Sequence, residues 1–316
     1  MVMGAITLED VNGRDDGGVA QRTIALAGAT GDLGGRVLSA LVRRGVDVRA
    51  LVRSGTPAAA QDVVRARGGT PVPVDFADHA ALTNSLDGAE CVVSVLNGLE
   101  PVILDLQGRL LDAAVAAGVP RFIPSDFSLD FTKTRPGDNR NMDLRRRFMG
   151  RVDAAPIRAT SILNGAFADL LTGEAPIVLQ RFRRILYWGD AAQSLDFTTK
   201  DDVAGYTADV ALDADAPRFL RIAGDVVSPR DLAMLMTRLE GQGWKPFRAG
   251  GLGRLSTLIR VARALSPTTD APFPAWQGMQ YVRDMSSGRG KLSPLDNDRY
   301  GKSDWTRAEA VLAPTL

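Results

Sequence analysis

Residues 23–37 read TIALAGATGDLGGRV, and this stretch decides the fold. A short apolar run is followed by three glycines at a spacing of three, and a helical pattern then continues to about Arg44. The order of strand, glycine turn and helix is typical of a parallel α/β sheet, where the helix N-terminus binds phosphate. The spacing GxxGxxG is a variant of the dinucleotide fingerprint GxGxxG. The stretch therefore predicts a phosphate site formed by Gly28, Thr30, Gly31, Asp32, Leu33 and Gly34.

The three glycines have different predicted roles. Gly28 makes the tight turn off the strand, Gly31 lets the backbone approach a pyrophosphate, and Gly34 lets the helix pack close to the sheet. Because glycine accounts for 32 of the 316 residues, the alternative is a tight turn that binds nothing. The flanking strand and helix favour the phosphate site.

Composition and charge are those of an ordinary globular protein. The chain is 45% hydrophobic and 24% charged, and its net charge of +1 argues against a nucleic-acid surface. The single cysteine, Cys91, excludes an internal disulfide, and the lone histidine, His79, gives no support for a metal site. No apolar run has membrane-spanning length, and residues 1–20 lack a signal-peptide pattern. We therefore expect a mobile leader at 1–20, a cytoplasmic protein without nucleic-acid or membrane partners, and an oligomeric state that the sequence leaves open.

Strands and helices alternate along the chain. This alternation predicts an α/β fold, a Rossmann-like doubly wound parallel sheet with a smaller C-terminal substrate lobe. Residues 21–165 are assigned to the NAD(P)-binding domain, and residues 166–316 to a mixed region that completes the sheet and forms the lobe. A small sheet is expected from Phe182–Trp188 and Leu195–Thr198. The main predicted strands are Ile24–Ala27, Asp47–Val52, Thr70–Val74, Cys91–Leu96, Arg121–Ile123, Ile157–Leu163 and, as the last, Phe219–Ile222.

Capping residues predict where several helices begin. The sequence Ser228-Pro229 predicts a helix through Glu240, because serine caps a helix and proline suits its first position. The other predicted caps are Asp78 for a helix through Leu86, Asp143 for a helix near Leu144, and Asp201 or Asp202 for a helix through Ala211.

Residues after the second and third strands stand where a dinucleotide fold meets the adenosine. Arg53 and Ser54 follow the second strand, and a guanidinium there favours the 2′-phosphate of NADP, whereas a carboxylate would favour NAD. A solvated surface arginine is the alternative. Asp75 is a candidate acceptor for the adenine amino group, and Phe76 is a candidate to flank the ring.

Several segments together resemble the NmrA-like and isoflavone-reductase-like branch of the atypical short-chain dehydrogenases. The resemblance covers most of residues 23–313, including the segments FTTKDDVAGYTADVALD and NDRYGKSDWTRAEAVLA. The other matching segments are GATGDLGGRV from Gly28, ALVR from Ala50, VDFAD from Val74, LLDAAVAAGVPRFIPSDF ending at Phe127, and ILNGAFAD from Ile162.

This resemblance implies a cofactor and the position of its reactive end. The glycine loop would hold the pyrophosphate, and Arg53 would select NADP(H), with NAD(H) as the alternative. Asn97 and Gly98, which close the fourth strand, face the cofactor crevice by their position in the sheet. The residues implied near the nicotinamide and the substrate are Ser125, Asp126, Phe127, Asn164 and Phe167.

The acid–base residues depart from the family pattern. None of the four tyrosines has a lysine four residues later, so the pair Tyr-x-x-x-Lys is missing. Isoflavone-reductase-like enzymes carry a lysine where this chain has Asp143. Asp143 is then either a helix cap or a buried acid–base group with a raised pKa. The candidate catalytic residues are Lys133, which has an exposed loop position as its alternative, Ser125 and Asn164. The run Arg145–Arg147 is interpreted as a solvated helix face.

We therefore expect an NADP(H)-dependent oxidoreductase that reduces a small carbonyl compound or an activated double bond, aromatic substrates included. In such enzymes the hydride chemistry belongs to the cofactor, and the protein orients it and assists proton transfer. The missing Tyr-x-x-x-Lys pair favours a competing hypothesis, a non-enzymatic redox sensor of the NmrA-like kind. An epimerase or dehydratase that retains its dinucleotide is a third hypothesis.

Overall fold

A six-stranded parallel sheet lies at the centre of the structure, a computed structural model that describes residues 22–173, 175–266 and 271–315. Its strands are β1 (Thr23–Ala27), β2 (Asp47–Arg53), β3 (Thr70–Val74), β4 (Cys91–Ser94), β5 (Arg121–Ile123) and β6 (Arg158–Ala159). The strand order is β3-β2-β1-β4-β5-β6, and every neighbouring pair is parallel. This order confirms the predicted Rossmann-like fold, in which ligands bind where the order reverses, between β1 and β4. The predicted leader at 1–20 lies outside the described residues.

Helices cover both faces of this sheet. The first, second and sixth helices pack on one face, and the third, fourth and fifth pack on the other. The described helices are α1 (Asp32–Val42), α2 (Ala58–Ala66), α3 (His79–Ser85), α4 (Gln107–Ala116), α5 (Arg140–Ala154), α6 (Lys200–Leu212), α7 (Pro229–Glu240), α8 (Leu252–Leu265), α9 (Ala275–Ser286) and α10 (Ala308–Leu312).

The residues of β1 explain why it is the central strand. Ile24 and Leu26 pack among α1 and α6 on one face, while Ala25 and Ala27 pack among α4 and α5 on the other. All four side chains are fully buried. A strand buried on both faces consists of a continuous apolar run, which is why no polar residue alternates here.

Beyond β6 the chain forms three small sheets in the described residues. One pairs β7 (Ser161–Leu163) with β12 (Phe219–Arg221). The second contains β8 (Ala166–Phe167), β11 (Leu195–Thr198) and β13 (Asp225–Val227), and the third contains β9 (Val178–Leu179), β10 (Arg184–Trp188) and β14 (Lys245–Gly250).

The predicted strand Ile157–Leu163 is wrong as one element, because it divides at Thr160. The Thr160 N–H donates to the Phe122 carbonyl of β5, whereas the next N–H, of Ser161, donates to the Arg218 carbonyl beside β12. The predicted small sheet is also wrong, because β10 and β11 belong to different sheets. The strand predicted at 219–222 is not the last one, since β13 and β14 follow it.

Two predicted caps are confirmed and two are wrong. Asp78 accepts from the Ala81 N–H, and Ser228 forms a capping box with Asp231. Helix α6 begins earlier than expected, with Thr199 as its cap, so Asp201 and Asp202 lie in its first turn.

The cap of α5 is Asn139, not Asp143. The helix begins at Arg140, and Asp143 lies inside its first turn, where its carboxylate accepts from the Gly137 N–H and pairs with Arg146 at 2.7 Å. The sequence also missed a π-helical turn at Pro101–Leu106, which runs directly into α4. Within the described residues, we find no helix with the length and apolar character needed to cross a membrane.

Candidate cofactor site and active site

The glycine turn between β1 and α1 contains two glycines that the chain itself requires. Gly28 has φ +94°, and a Cβ there would lie 2.5 Å from the Val95 carbonyl oxygen. A Cβ at Gly34 would overlap the Gly28 carbonyl group. Gly31 differs, because its φ of −81° suits any residue and the nearest atom to a Cβ is the Gly28 oxygen, at 3.4 Å. Neither backbone strain nor packing within the chain therefore requires glycine at position 31. The missing side chain instead leaves room for a ligand to approach the Gly31 backbone.

The N-terminus of α1 presents its first N–H groups without a side-chain cap. Gly31 is the N-cap residue and has no side chain that could accept from the first turn. Thr30 and Asp32 beside it are exposed, whereas Leu33 is half-buried. Uncapped N–H groups at a helix N-terminus bind anions well. The predicted phosphate residues therefore lie together in one turn whose N–H groups are open to an anion.

Charges around this turn are balanced by a lysine that the sequence did not single out. Lys200 Nζ lies 2.9 Å from Asp32 Oδ2 and 2.5 Å from Asp169 Oδ2, and 6.0 Å from the centre of the Phe167 ring. Hydrogen bonds from Arg36 and then Lys200 lower the pKa of Asp32. Lys200 thus connects the start of α1 to the segment after Phe167. Only tertiary structure shows this contact, because 168 positions separate Asp32 from Lys200 (200 − 32).

The end of β2 carries an arginine with no internal partner. Arg53 is exposed and, among the described residues, its side chain makes no hydrogen bond or ion pair. The N–H of Ser54 donates to the Val74 carbonyl at the end of β3. Asp75 accepts from the Ala77 N–H at 2.8 Å, so part of its carboxylate stabilises a turn, and Phe76 is 8% exposed within the apolar core. None of these contacts tests the cofactor-binding roles predicted for Arg53, Ser54, Asp75 and Phe76, so these roles stay predictions.

A glutamine joins the ends of β4 and β5. Gln107 Oε1 accepts from Ser94 Oγ at 2.6 Å and from the Ser125 N–H at 2.9 Å. The Ser125 hydroxyl donates to the Leu96 carbonyl at 2.6 Å. Asn97 and Gly98 follow immediately, so these segments lie together at the carboxyl edge of the sheet. Gln107 was missed, since its position at the start of α4 resembles an ordinary surface position.

Asp126 is a buried carboxyl group beside this edge. Its Oδ2 accepts from Ser161 Oγ at 2.6 Å, while its Oδ1 has no partner. Burial raises the pKa of Asp126, and the Ser161 hydroxyl and the charges of Arg145 and Arg218 partly oppose this rise. Phe127, the next residue, is 7% exposed and belongs to the apolar core.

We expect Asp126→Asn to stabilise the protein increasingly as the pH rises. Because the folded pKa of Asp126 is raised, the folded state favours the protonated carboxyl. The stability that the protonated Asp126 contributes is fully present below the ordinary aspartate pKa, about 3.9. It is lost as the pH rises through the higher pKa of the folded state. Urea unfolding between pH 4 and 8 measures it, with the exposed Asp87→Asn as the matched control. A difference between Asp126→Asn and the parent that stays constant with pH would contradict the assignment.

Asn164 is the least satisfied polar side chain at this edge. It is fully buried, and neither its amide oxygen nor its amide nitrogen has a hydrogen-bond partner. Its backbone is fixed, because its N–H donates to the Ser128 carbonyl at 3.0 Å and its carbonyl accepts from Thr198 Oγ1 at 2.7 Å. Buried polar groups without partners are rare and are expected where a ligand supplies the bond.

The candidate Lys133 is held by another part of the chain. Its Nζ donates to the carbonyls of Lys291 and Ser293 at 3.1 and 3.0 Å, and lies 3.4 Å from Asp130 Oδ2. These bonds use its donors and favour a structural role for the ammonium group. Its catalytic role stays a prediction.

The arginine run in the middle of α5 is not a solvated face, contrary to the sequence interpretation. Arg145 is buried, and Arg146 donates to the Phe131 and Thr134 carbonyls. Only Arg147 is exposed, where it pairs with Glu100. Three consecutive residues point in different directions on a helix, so one faces the core and one holds the loop.

The model of the NmrA-like family matches residues 20–244 of this chain. The chain belongs to the NmrA-like family. Among curated relatives, it is 32% identical over 246 residues to the isoflavone reductase homolog IRL of Zea mays, covering 71% of this chain and 75% of the relative. The resemblance inferred from the sequence is thereby confirmed.

Solved structures share the fold of this NmrA-like protein. AtPrR2 with NADP+ and (+)pinoresinol superposes with a TM-score of 0.79 at 20% identity, covering 94% of this chain and 99% of that one. The leucoanthocyanidin reductase of Vitis vinifera in its binary complex with NADPH gives 0.75 at 19% identity, covering 93% and 99%. At these identities the comparison establishes the fold alone.

A dinucleotide fits the residues of this NmrA-like protein on structural grounds. The bare Gly31 backbone and the uncapped start of α1 suit a pyrophosphate. Arg53, whose side chain has no partner among the described residues, suits an anionic group at the ribose, and the unsatisfied Asn164 amide suits a polar group. The strand order places the Gly31 turn after β1 and Arg53 at the end of β2 on one edge of the six-stranded sheet. Asn164 follows β7, which belongs to a separate sheet, and its N–H donates to the Ser128 carbonyl in the segment after β5.

Proposed function

We propose that this protein is an NADP(H)-dependent reductase of a small carbonyl compound or activated double bond, with aromatic substrates included. The observation that carries the proposal is the uncapped α1 N-terminus at Gly31, together with the unsatisfied Asn164 amide beside the segment after β5. The comparisons support it, since an isoflavone reductase homolog and a pinoresinol reductase are among the relatives, and leucoanthocyanidin reductase is among the similar structures. The glycine turn binds the pyrophosphate, and Arg53 binds the 2′-phosphate.

The residues of the strand edge bind and orient rather than donate a proton directly. When bound, the reduced nicotinamide supplies a hydride. The Asn164 Nδ2 donates a hydrogen bond to the substrate oxygen, whose negative charge grows as its carbon is reduced. Water then delivers the proton, because an amide is not an acid at neutral pH. The Ser125 hydroxyl, held by the Leu96 carbonyl, fixes the start of the segment whose Ser128 carbonyl accepts from the Asn164 N–H.

A redox sensor is the second candidate function, and a specific observation favours it. Asp143 occupies the position where the resembling reductases carry lysine, and Lys133 is bound to the carbonyls of Lys291 and Ser293. A sensor needs the dinucleotide site but no proton donor. Screening NADPH oxidation with quinones, enones and aromatic aldehydes separates the two, because a sensor binds NADPH tightly and oxidises none.

Cofactor choice is expected to depend on Arg53. NADPH should bind more tightly than NADH, and Arg53→Ala should weaken NADPH binding by roughly 10- to 100-fold without affecting NADH, since charged hydrogen bonds contribute about 1.5–3 kcal/mol. Titration calorimetry with both dinucleotides measures the effect. Arg49→Ala, on the same strand, is the control for loss of an arginine. Equal affinities for the two dinucleotides would rule out Arg53 as the selecting residue.

A further inference from the structure

A cavity of about 530 Å³ lies between α8, α9 and the loop at 135–138. None of the residues predicted to bind the cofactor or to act in catalysis lines it. Its size is within the range of small-molecule sites, which is about 300–1,000 Å³. Five arginines line it, Arg135, Arg260, Arg263, Arg283 and Arg289, together with a single carboxylate, that of Asp138.

Among the described residues, carboxylates pair with only two of the five arginines of this arginine cavity, Arg283 and Arg289. Asp138 pairs with Arg289 at 3.3 Å. Within the part of the chain that the structure describes, Arg135, Arg260 and Arg263 form no ion pair with a carboxylate, unlike Arg283 and Arg289. Like charges gathered around one cavity repel each other, and a bound anion relieves this repulsion.

One guanidinium at the base of the cavity is held in a fixed position. Arg283 donates to the Asp138 carbonyl at 2.6 Å and pairs at 3.2 Å with Asp284, whose side chain is 2% exposed. Asp284 is itself fixed, because it accepts from Asn139 Nδ2 at 2.9 Å, and Asn139 accepts from Gln277 at 2.7 Å. This buried network joins α9 to the start of α5 and leaves the side chain of Arg283 only 12% exposed.

A second guanidinium is oriented by an aromatic ring. Arg263 lies 5.3 Å from the centre of the Trp276 ring, which is itself 5% exposed. Arginines stack on aromatic rings and keep their N–H groups free at the edge of the guanidinium plane. The cavity therefore combines fixed and mobile guanidinium groups around one space.

We propose that the arginine cavity binds a small anion with at least two oxyanion groups, either a phosphate ester or a polycarboxylate. Guanidinium groups bind both chemistries through paired N–H donors. Several arginines spread around the space match an anion with separated charges better than a single carboxylate. This site is separate from the glycine turn and binds its ligand independently of the dinucleotide.

The experiment titrates pyrophosphate and citrate separately into the full chain by calorimetry at low salt. We expect at least one probe to bind, and Arg260→Gln combined with Arg263→Gln to weaken it by about tenfold or more. Arg254→Gln, on the same exposed helix but outside the cavity, should change the affinity less than twofold. Tighter binding of pyrophosphate indicates a phosphate ester, and tighter binding of citrate indicates a polycarboxylate.

The glycine turn is the competing site for pyrophosphate, and Gly31→Val distinguishes the two. Pyrophosphate binding that survives Gly31→Val and falls with the arginine double variant supports the cavity. Binding lost with Gly31→Val and unchanged in the double variant overturns the proposal, as does failure of both probes to bind at about 1 mM. Thermal unfolding of each variant verifies that it is folded.

Discussion

Gly31→Val is expected to abolish dinucleotide binding, with at least a hundredfold weaker affinity for NADPH, while the unliganded protein unfolds near the parent temperature. The Gly31 backbone has φ −81° and ψ 169°, which valine adopts without strain. A side chain here extends into the space where a pyrophosphate approaches the α1 N–H groups. Thermal unfolding with and without NADPH measures both quantities. A variant that NADPH still stabilises would reduce Gly31 to an ordinary turn residue.

Gly34→Ala is the matched control, because packing within the chain, and not a ligand, requires glycine at this neighbouring position. Its Cβ would overlap the Gly28 carbonyl, so the loss should appear as instability of the unliganded protein. Forcing an extra carbon into a packed site costs about 1–3 kcal/mol. The two variants together separate a ligand contact from a packing contact within one turn.

Local sequence was sufficient to predict the first five strands of the central sheet. The apolar runs of β1 and β4 and the glycines at 28, 31 and 34 are short-range signals that a parallel fold requires. Element ends were harder to predict where two good capping residues stand close together, as with Thr199 and Asp202, both of which make hydrogen bonds at the start of α6.

The parts of the site that sequence missed depend on contacts between distant residues. In the sequence, Lys200 looks like any lysine in the first turn of a helix, and its pairing with Asp32 depends on the packing of α6 beside α1. Gln107 looks like a surface residue, and only the folded chain shows that it joins the ends of β4 and β5. The arginine cavity brings Arg135 beside residues of α8 and α9 that lie more than 100 positions later. No periodic pattern encodes such contacts, so their chemistry becomes visible only in the folded chain.

Asn164→Ala is expected to lower kcat by roughly 10²–10³, whereas Lys133→Ala should keep it within about tenfold. The Asn164 amide has no partner within the described chain, so its removal leaves no other protein group unpaired, and the fold should persist. In the proposed mechanism its bond to the substrate oxygen forms in the transition state, so kcat should fall more than the NADPH affinity. Lys133 bonds to the Lys291 and Ser293 carbonyls, so its loss should affect stability more than turnover.

Steady-state kinetics of both variants, with a substrate found by screening NADPH oxidation, decide between the two residues. Thermal unfolding and NADPH titration of the same samples separate loss of turnover from loss of fold or cofactor. A collapse of kcat in Lys133→Ala with unchanged NADPH affinity would make Lys133 the acid, after release from its two carbonyls. If Asn164→Ala kept full activity, its unsatisfied amide would have no part in the reaction. Tight NADPH binding with no oxidation by any carbonyl or enone would favour the sensor, since a sensor binds the dinucleotide without an acceptor.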